Sequence, residues 1–282
     1  MFLTLLISMS IFTSCQRIEA NTAEEKYLPA QTLNDVSYGK DTAQRMDIYL
    51  PAGRKTDSTK AVVLIHGGGW SSGSKAEFTA YIDSFQRRMP GYAVFNINYR
   101  LYNGENVFPA QENDVKKALS FISEKAGEYH INKNKIVLLG VSAGGHLALL
   151  QAYKYKDPAI AAVIDFFGPA DLMSMYQKPW HPYVTFALQM VTGTSPAANA
   201  ALYKASSPVN FITTEAAPTL IFHGGQDQVV NISQSRELKN KLDQAGVKNE
   251  LVVYPSQKHG WYGPTLSNSF DRIEKFLAEN VK

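Results

Sequence analysis

Residues 136–146 read Ile136-Val137-Leu138-Leu139-Gly140-Val141-Ser142-Ala143-Gly144-Gly145-His146, and this stretch decides the fold. Four aliphatic residues in a row predict a strand over 136–139 that is buried on both faces. The run from His146 to Tyr153 reads as a helix. Between them, Ser142 sits on a tight strand-to-helix turn with small neighbours. Glycines at 140 and 144 let the backbone turn sharply and let a substrate come close. The helix that follows directs its free N–H groups and its positive end toward developing negative charge. Ser142 is therefore the candidate nucleophile.

The same strand-end pattern recurs elsewhere in the chain. Ala61-Val62-Val63-Leu64-Ile65 is a continuous apolar run, and His66-Gly67-Gly68-Gly69-Trp70 follows it directly. Glycine-rich backbone can offer N–H donors to an oxyanion, and losing one such donor typically costs ~3 kcal/mol of activation energy. Gly67 and Gly68 are the candidate donors, with the Ala143 N–H as a third. Further on, Thr219 to Phe222 is a strand-like run followed by Asp227. Leu251 to Tyr254 is another, followed by His259. A histidine there can take the serine proton and return it to a leaving group, while the acid holds the imidazole tautomer. The competing histidines have blander readings: His130 on the surface, His146 packed on its helix, His181 in a capping segment and His223 structural. Asp165, Asp171 and Asp243 are the alternative acids, although Asp171, after Gly168-Pro169-Ala170, suits a helix cap.

Strands and helices alternate through the rest of the chain. Val36 to Tyr38 and Arg45 to Leu50 read as two antiparallel strands. Tyr92–Ile97 and Ala161–Phe167 add buried strands, and Asp114–Glu124, Ser233–Ala245 and Ser269–Leu277 carry helical apolar stripes. Such alternation predicts an α/β fold with a mostly parallel sheet covered on both faces. Residues 172–207 break the rhythm and predict a small cap or active-site lid. The chain of 282 residues is 45% hydrophobic and 19% charged, which excludes a disordered protein. A net charge of +3, with Lys and Arg scattered, predicts no nucleic-acid partner. The single cysteine, Cys15, excludes an intramolecular disulfide. It ends a short, uncharged and largely apolar stretch, too short to span a membrane as a helix. We expect residues 1–15 to be an export signal of lipoprotein type, with Cys15 lipidated and the protein attached to a membrane in the periplasm or at the cell surface. A plain cleaved signal peptide is the alternative. Residues 16–33 are expected to be a flexible lead-in, and 34–282 one domain.

With these residues in hand, the chain resembles the α/β-hydrolase superfamily, and within it the hormone-sensitive-lipase-like and related bacterial esterases. The resemblance rests on the glycine loop, Gly140–Gly145, Asp227 and His259. It extends to Asn98-Tyr99-Arg100-Leu101, Phe108-Pro109-Ala110 and Gly168-Pro169-Ala170-Asp171-Leu172, and so spans roughly residues 35–280. It implies an eight-stranded, mostly parallel sheet, a cap near 172–207, no cofactor, and hydrolysis of carboxylic esters through an acyl-enzyme. The Trp70 form of the loop is similar to exported carbohydrate esterases of the acetyl-xylan or feruloyl type. Small-molecule or carbohydrate esters are then the expected substrates, with Trp70, Trp261 and Trp180 as candidate binding residues and core packing as their alternative role. An amide-cleaving, arylformamidase-like enzyme and a non-catalytic binding protein on the same fold are the other readings.

Overall fold

The structure, a computed structural model, describes residues 27–156 and 159–282. Eight strands form one sheet: β1 (Gln31–Ser37), β2 (Arg45–Leu50), β3 (Lys60–Ile65), β4 (Tyr92–Ile97), β5 (Ile136–Val141), β6 (Ile160–Phe166), β7 (Thr219–Gly224) and β8 (Asn249–Tyr254). The helices in chain order are α1 (Thr79–Arg88), α2 (Ala110–Glu124), α3 (Ala126–Tyr129), α4 (Ala143–Lys154), α5 (Leu172–Gln177), α6 (Pro182–Thr192), α7 (Ala200–Ala205), α8 (Ser233–Gln244) and α9 (Gly263–Asn280). The strand order is β1-β2-β4-β3-β5-β6-β7-β8. β1, β2 and β4 pair antiparallel, and every pairing from β4 through β8 is parallel. This is the α/β-hydrolase architecture.

Strand side chains alternate between two cores, one on each face of the sheet. Val63 and Ile65 of β3 and Leu138 of β5 face α2, α4 and α8, where Val115, Leu119, Leu147 and Leu238 meet them. Val62 and Leu64, with Val137 and Leu139, face α1 and α9, where Phe85, Phe270 and Ile273 meet them. A strand covered on both sides needs apolar residues at every position, which is why β3 and β5 read as unbroken aliphatic runs. In-register pairing of Ile65 with Gly140, and of Val141 with Phe166, brings the carboxyl ends of β3, β5 and β6 to one edge. The loops that leave those ends carry the site.

Several boundaries and helices differ from the sequence reading, among them α9, which starts at Gly263 rather than Ser269, and the short α3. β1 starts at Gln31, inside the expected lead-in of residues 16–33. It is an edge strand with few buried side chains, so its backbone ladder to β2 holds it without an apolar alternation to announce it. α2 begins at Ala110, a turn before Asp114, directly after Pro109. α1 went unread, although a capping box of Ser74 and Glu77 stands just before it. Residues 1–15 and Cys15 lie outside the described residues, and among those described no helix is long and apolar enough to cross a membrane.

Phe270 on α9 is fully buried and meets Tyr81 and Phe85 edge-on, so it joins α9 to α1 across the core. Phe270→Ala should lower unfolding free energy by about 3–5 kcal/mol, read from urea denaturation at constant slope. A loss below 1 kcal/mol would mean that α9 is not a structural wall.

Candidate active site

Ser142 takes φ 55° and ψ −120°, a conformation that side-chain-bearing residues rarely adopt. Its N–H donates to the Phe166 carbonyl at 2.8 Å, and its own carbonyl accepts from His146 N–H at 3.0 Å. The strain therefore sits on the serine itself. Gly140 and Gly144 are absent from the left-handed region, so they do not supply the turn as the sequence suggested. Gly144 is required for another reason: an added Cβ would overlap the Ile65 carbonyl oxygen. Only a glycine lets α4 start against the end of β3.

His259 Nε2 lies 2.9 Å from Ser142 Oγ, and its Nδ1 lies 2.6 Å from Asp227 Oδ2. The carboxylate's other oxygen accepts from the Val229 and Val230 N–H groups at 2.7 and 2.9 Å. Burial pushes the Asp227 carboxyl up, but the His259 contact and the two amides outweigh it and hold it below its ordinary value. It is thus ionised at neutral pH and fixes the proton of neutral His259 on Nδ1, leaving the Nε2 lone pair facing the serine hydroxyl. The loop that carries His259 passes so close to β7 that a Cβ at Gly224 would overlap the Lys258 carbonyl. Phe167, the first residue after β6, packs on the His259 ring at a centroid distance of 4.4 Å.

Gly67, Gly68 and Ala143 surround Ser142 in one cavity. Among the described residues, no hydrogen-bond acceptor in the chain takes the N–H of Gly68 or of Ala143. The glycine loop is held from behind. Tyr99 donates its hydroxyl to the His66 carbonyl at 2.9 Å and stacks on the His66 ring at 4.3 Å. Trp70 donates its indole N–H to His146 Nδ1 at 3.2 Å. That makes Nδ1 an acceptor, so the His146 proton is on Nε2 and reaches the Ser206 carbonyl at 2.7 Å.

Of the three tryptophans, Trp70 and Trp261 line the cavity and Trp180 does not. Trp70 and Trp261 are both nearly buried, and the Trp261 indole N–H is tied to Ser269 Oγ at 2.9 Å, so both are fixed walls. The Trp180 indole N–H donates to the Gln228 carbonyl at 3.0 Å. The ring lines a separate small cavity with Lys178 and Glu237. Trp180, expected as a candidate substrate-binding residue with packing as its alternative, thus does not line the cavity that holds Ser142. Asp171 caps α5 through the Met173 and Ser174 N–H groups, as its place after Gly168-Pro169-Ala170 suggested. His223 is more than a packing residue. Its Nε2 lies 2.9 Å from the Val230 carbonyl and 3.4 Å from Asp227 Oδ2, so it braces the acid loop from below. The cap segment of residues 172–207 folds into α5, α6 and α7, and Met175, Val184, Ala187 and Leu188 roof the cavity. Phe78 and Tyr81, at the start of α1, form the opposite wall. The sequence signals for these were the capping box and the residue after each strand end. Among the described residues, no cluster of three or more His, Cys, Asp or Glu could hold a metal.

The BD-FAE family model matches residues 46–242, and the chain belongs to that family. It is 30% identical over 265 residues to a probable carboxylic ester hydrolase, LipM, of Mycobacterium tuberculosis, covering 87% of this chain and 60% of that protein. The chain spans about 60% of the length of the curated relatives it matches. Among solved structures it is similar to a truncated carbohydrate esterase from gut microbiota, with a TM-score of 0.75, 28% identity, and 90% and 98% of the two chains covered. It is also similar to the butyrate-bound esterase Est2 of Thermogutta terrifontis, with a TM-score of 0.73, 28% identity, and 89% and 94% covered. The Thermogutta esterase has also been seen phosphonylated by sarin.

Burial holds His66 and His146 at a pKa of about 4, only partly offset by their bonds to the Gly67 and Ser206 carbonyls. Unfolded, each protonates near ~6.5. As pH falls from about 6.5 to 4, the unfolded chain takes up protons that the native one refuses, so stability drops by up to ~1.4 kcal/mol per pH unit per histidine. Asp165 acts in the opposite sense, because burial raises its carboxyl to about 7. Below that value the native state keeps a proton that the unfolded chain sheds above ~3.9. His146→Gln should therefore reduce the slope of stability against pH between 4.5 and 6.5 by up to ~1.4 kcal/mol per unit, measured by urea unfolding. An unchanged slope would contradict a neutral His146.

Proposed function

We propose that the protein is a serine hydrolase that cleaves carboxylic esters through an acyl-enzyme on Ser142. The observation that carries this reading is His259, whose two ring nitrogens bridge Ser142 Oγ and Asp227 Oδ2. Ser142 Oγ attacks the ester carbonyl carbon as His259 Nε2 takes its proton. The carbonyl oxygen becomes an oxyanion, met by N–H groups of the Gly67–Gly68 loop and of Ala143, each contributing about 3 kcal/mol where the geometry is good. The ionised Asp227 stabilises the imidazolium that forms. Collapse of the intermediate breaks the ester C–O bond, and the alcohol leaves with the proton from His259. Water then attacks the acyl-serine, gives its proton to Nε2, and releases the acid as that proton returns to Ser142.

The substrate reading is an acylated carbohydrate or small acyl ester met outside the cytoplasm. Similarity to a carbohydrate esterase supports the first part. The apolar stretch that ends at Cys15 supports export with a lipid anchor. Loss of palmitate labelling in Cys15→Ser would be the expected sign of that anchor, and an unlabelled parent protein would remove it.

Ser142→Ala should lower kcat at least ~1,000-fold, and Asp227→Asn roughly 10,000-fold, on a 4-nitrophenyl ester. A fluorophosphonate probe should label the parent and not Ser142→Ala. Turnover that survives Ser142→Ala would place the chemistry elsewhere. With that variant as the blank, turnover of small aryl esters without acid release from an esterified polysaccharide would remove the carbohydrate reading alone. Faster cleavage of an N-formyl aryl amide than of the matching ester would place the protein among amide-cleaving enzymes.

A further inference from the structure

The cavity above Ser142 has a volume of about 480 Å³. Liquid water fills about 30 Å³ per molecule, so the space corresponds to roughly sixteen waters. An acetyl methyl group would displace only one or two of them. The walls are mostly apolar: Trp70, Phe78 and Phe167 on the sheet side, and Met175, Val184 and Leu188 on the cap side. Among the described residues that line it, the exposed Glu77 is the one Asp, Glu, Lys or Arg. Beyond Ser142 and His259, the other side-chain polar atoms there are the hydroxyls of Tyr81, Tyr183 and Tyr262 and two indole N–H groups. The indole N–H groups of Trp70 and Trp261 are already spent on His146 and Ser269. A sugar ring in this space would leave most of its hydroxyls without partners, which is costly in an apolar enclosure. The mouth has a different character. Tyr183 and Tyr262 stand there 60% and 79% exposed, each with an aromatic face and a free-standing hydroxyl edge toward solvent.

We infer that the portion of the substrate seated in the cavity is an apolar chain of about six to ten carbons, and that the polar portion stays at the tyrosine rim. This rests on the ester-hydrolase reading and narrows it, by assigning the interior to a hydrocarbon group larger than acetyl. The cap supplies the roof through Met175 on α5 and through Val184, Ala187 and Leu188 on α6. Ala187 is the smallest of these, so a larger side chain there would take space from beneath the roof.

Two substrate series test the inference and separate the acyl side from the alcohol side. One is the 4-nitrophenyl esters from acetate to decanoate. The other is ethyl, butyl and hexyl acetate. Burying one methylene contributes ~0.8 kcal/mol, or about fourfold, so kcat/KM should rise at least tenfold from two to six carbons in one series. The series that rises identifies the portion held inside. A flat or falling kcat/KM in both series, with acetate and ethyl acetate turned over, would overturn the inference and leave ester hydrolysis intact. No turnover of any ester, together with no fluorophosphonate labelling of Ser142, would overturn both. Ala187→Trp should cut the six-carbon to two-carbon ratio at least fivefold by filling the roof, and Ala187→Leu should do so more mildly if the larger residue impairs folding. An unchanged ratio in a folded variant of either kind would mean that the chain lies elsewhere, and the inference fails.

Discussion

Ser142 is held at a positive φ by bonds it does not make with its own side chain. β5 lies between β3 and β6, and the Ser142 N–H is committed to the Phe166 carbonyl at the end of β6. On the other side, α4 starts where the Gly144 backbone meets the Ile65 carbonyl, at the point where the glycine loop begins. A single contorted residue of this kind costs about 1–3 kcal/mol and persists only when its neighbours over-determine it. Here they do, because both neighbouring strands and the helix would have to move to release it. The hydroxyl is consequently presented to His259 at a fixed position, and the Ala143 N–H and the glycine loop are set relative to it by the same contacts.

The supporting layer behind the site is made of neutral, buried polar groups. His66 stacks on Tyr99, His146 joins Trp70 to Ser206, and His223 joins Ser235 to Val230. Each imidazole uses one nitrogen as donor, and His146 and His223 use the other as acceptor, so these rings function as shaped connectors between backbone segments. Their value depends on remaining uncharged, and burial lowers all three. Asp227 is the exception that proves the arrangement selective, since hydrogen bonds from His259 and two amides keep it ionised despite burial.

Most of this was legible in the sequence because the site hangs from strand ends. Buried parallel strands write themselves as aliphatic runs, and the residues just after them, Gly67, Ser142, Asp227 and His259, fall at the same edge once register is set. The legible part stops where the pattern changes. β1 is an edge strand with little to bury, so no periodicity marked its start. The cap carries aromatic residues in an order that says they are covered by something without saying by what. Trp180 was therefore a candidate for substrate binding, whereas it lies outside the cavity and its indole N–H is bound to the Gln228 carbonyl. Cys15 lies outside the described residues, where packing arguments do not reach.

That bond of Trp180 has a mechanical meaning. Its acceptor, the Gln228 carbonyl, belongs to the residue adjoining Asp227, while Trp180 itself lies between α5 and α6. The roof of the cavity and the triad acid are thus fastened to each other across one peptide unit. A displacement of the roof at Trp180 would therefore pull on the backbone beside the carboxylate that meets His259.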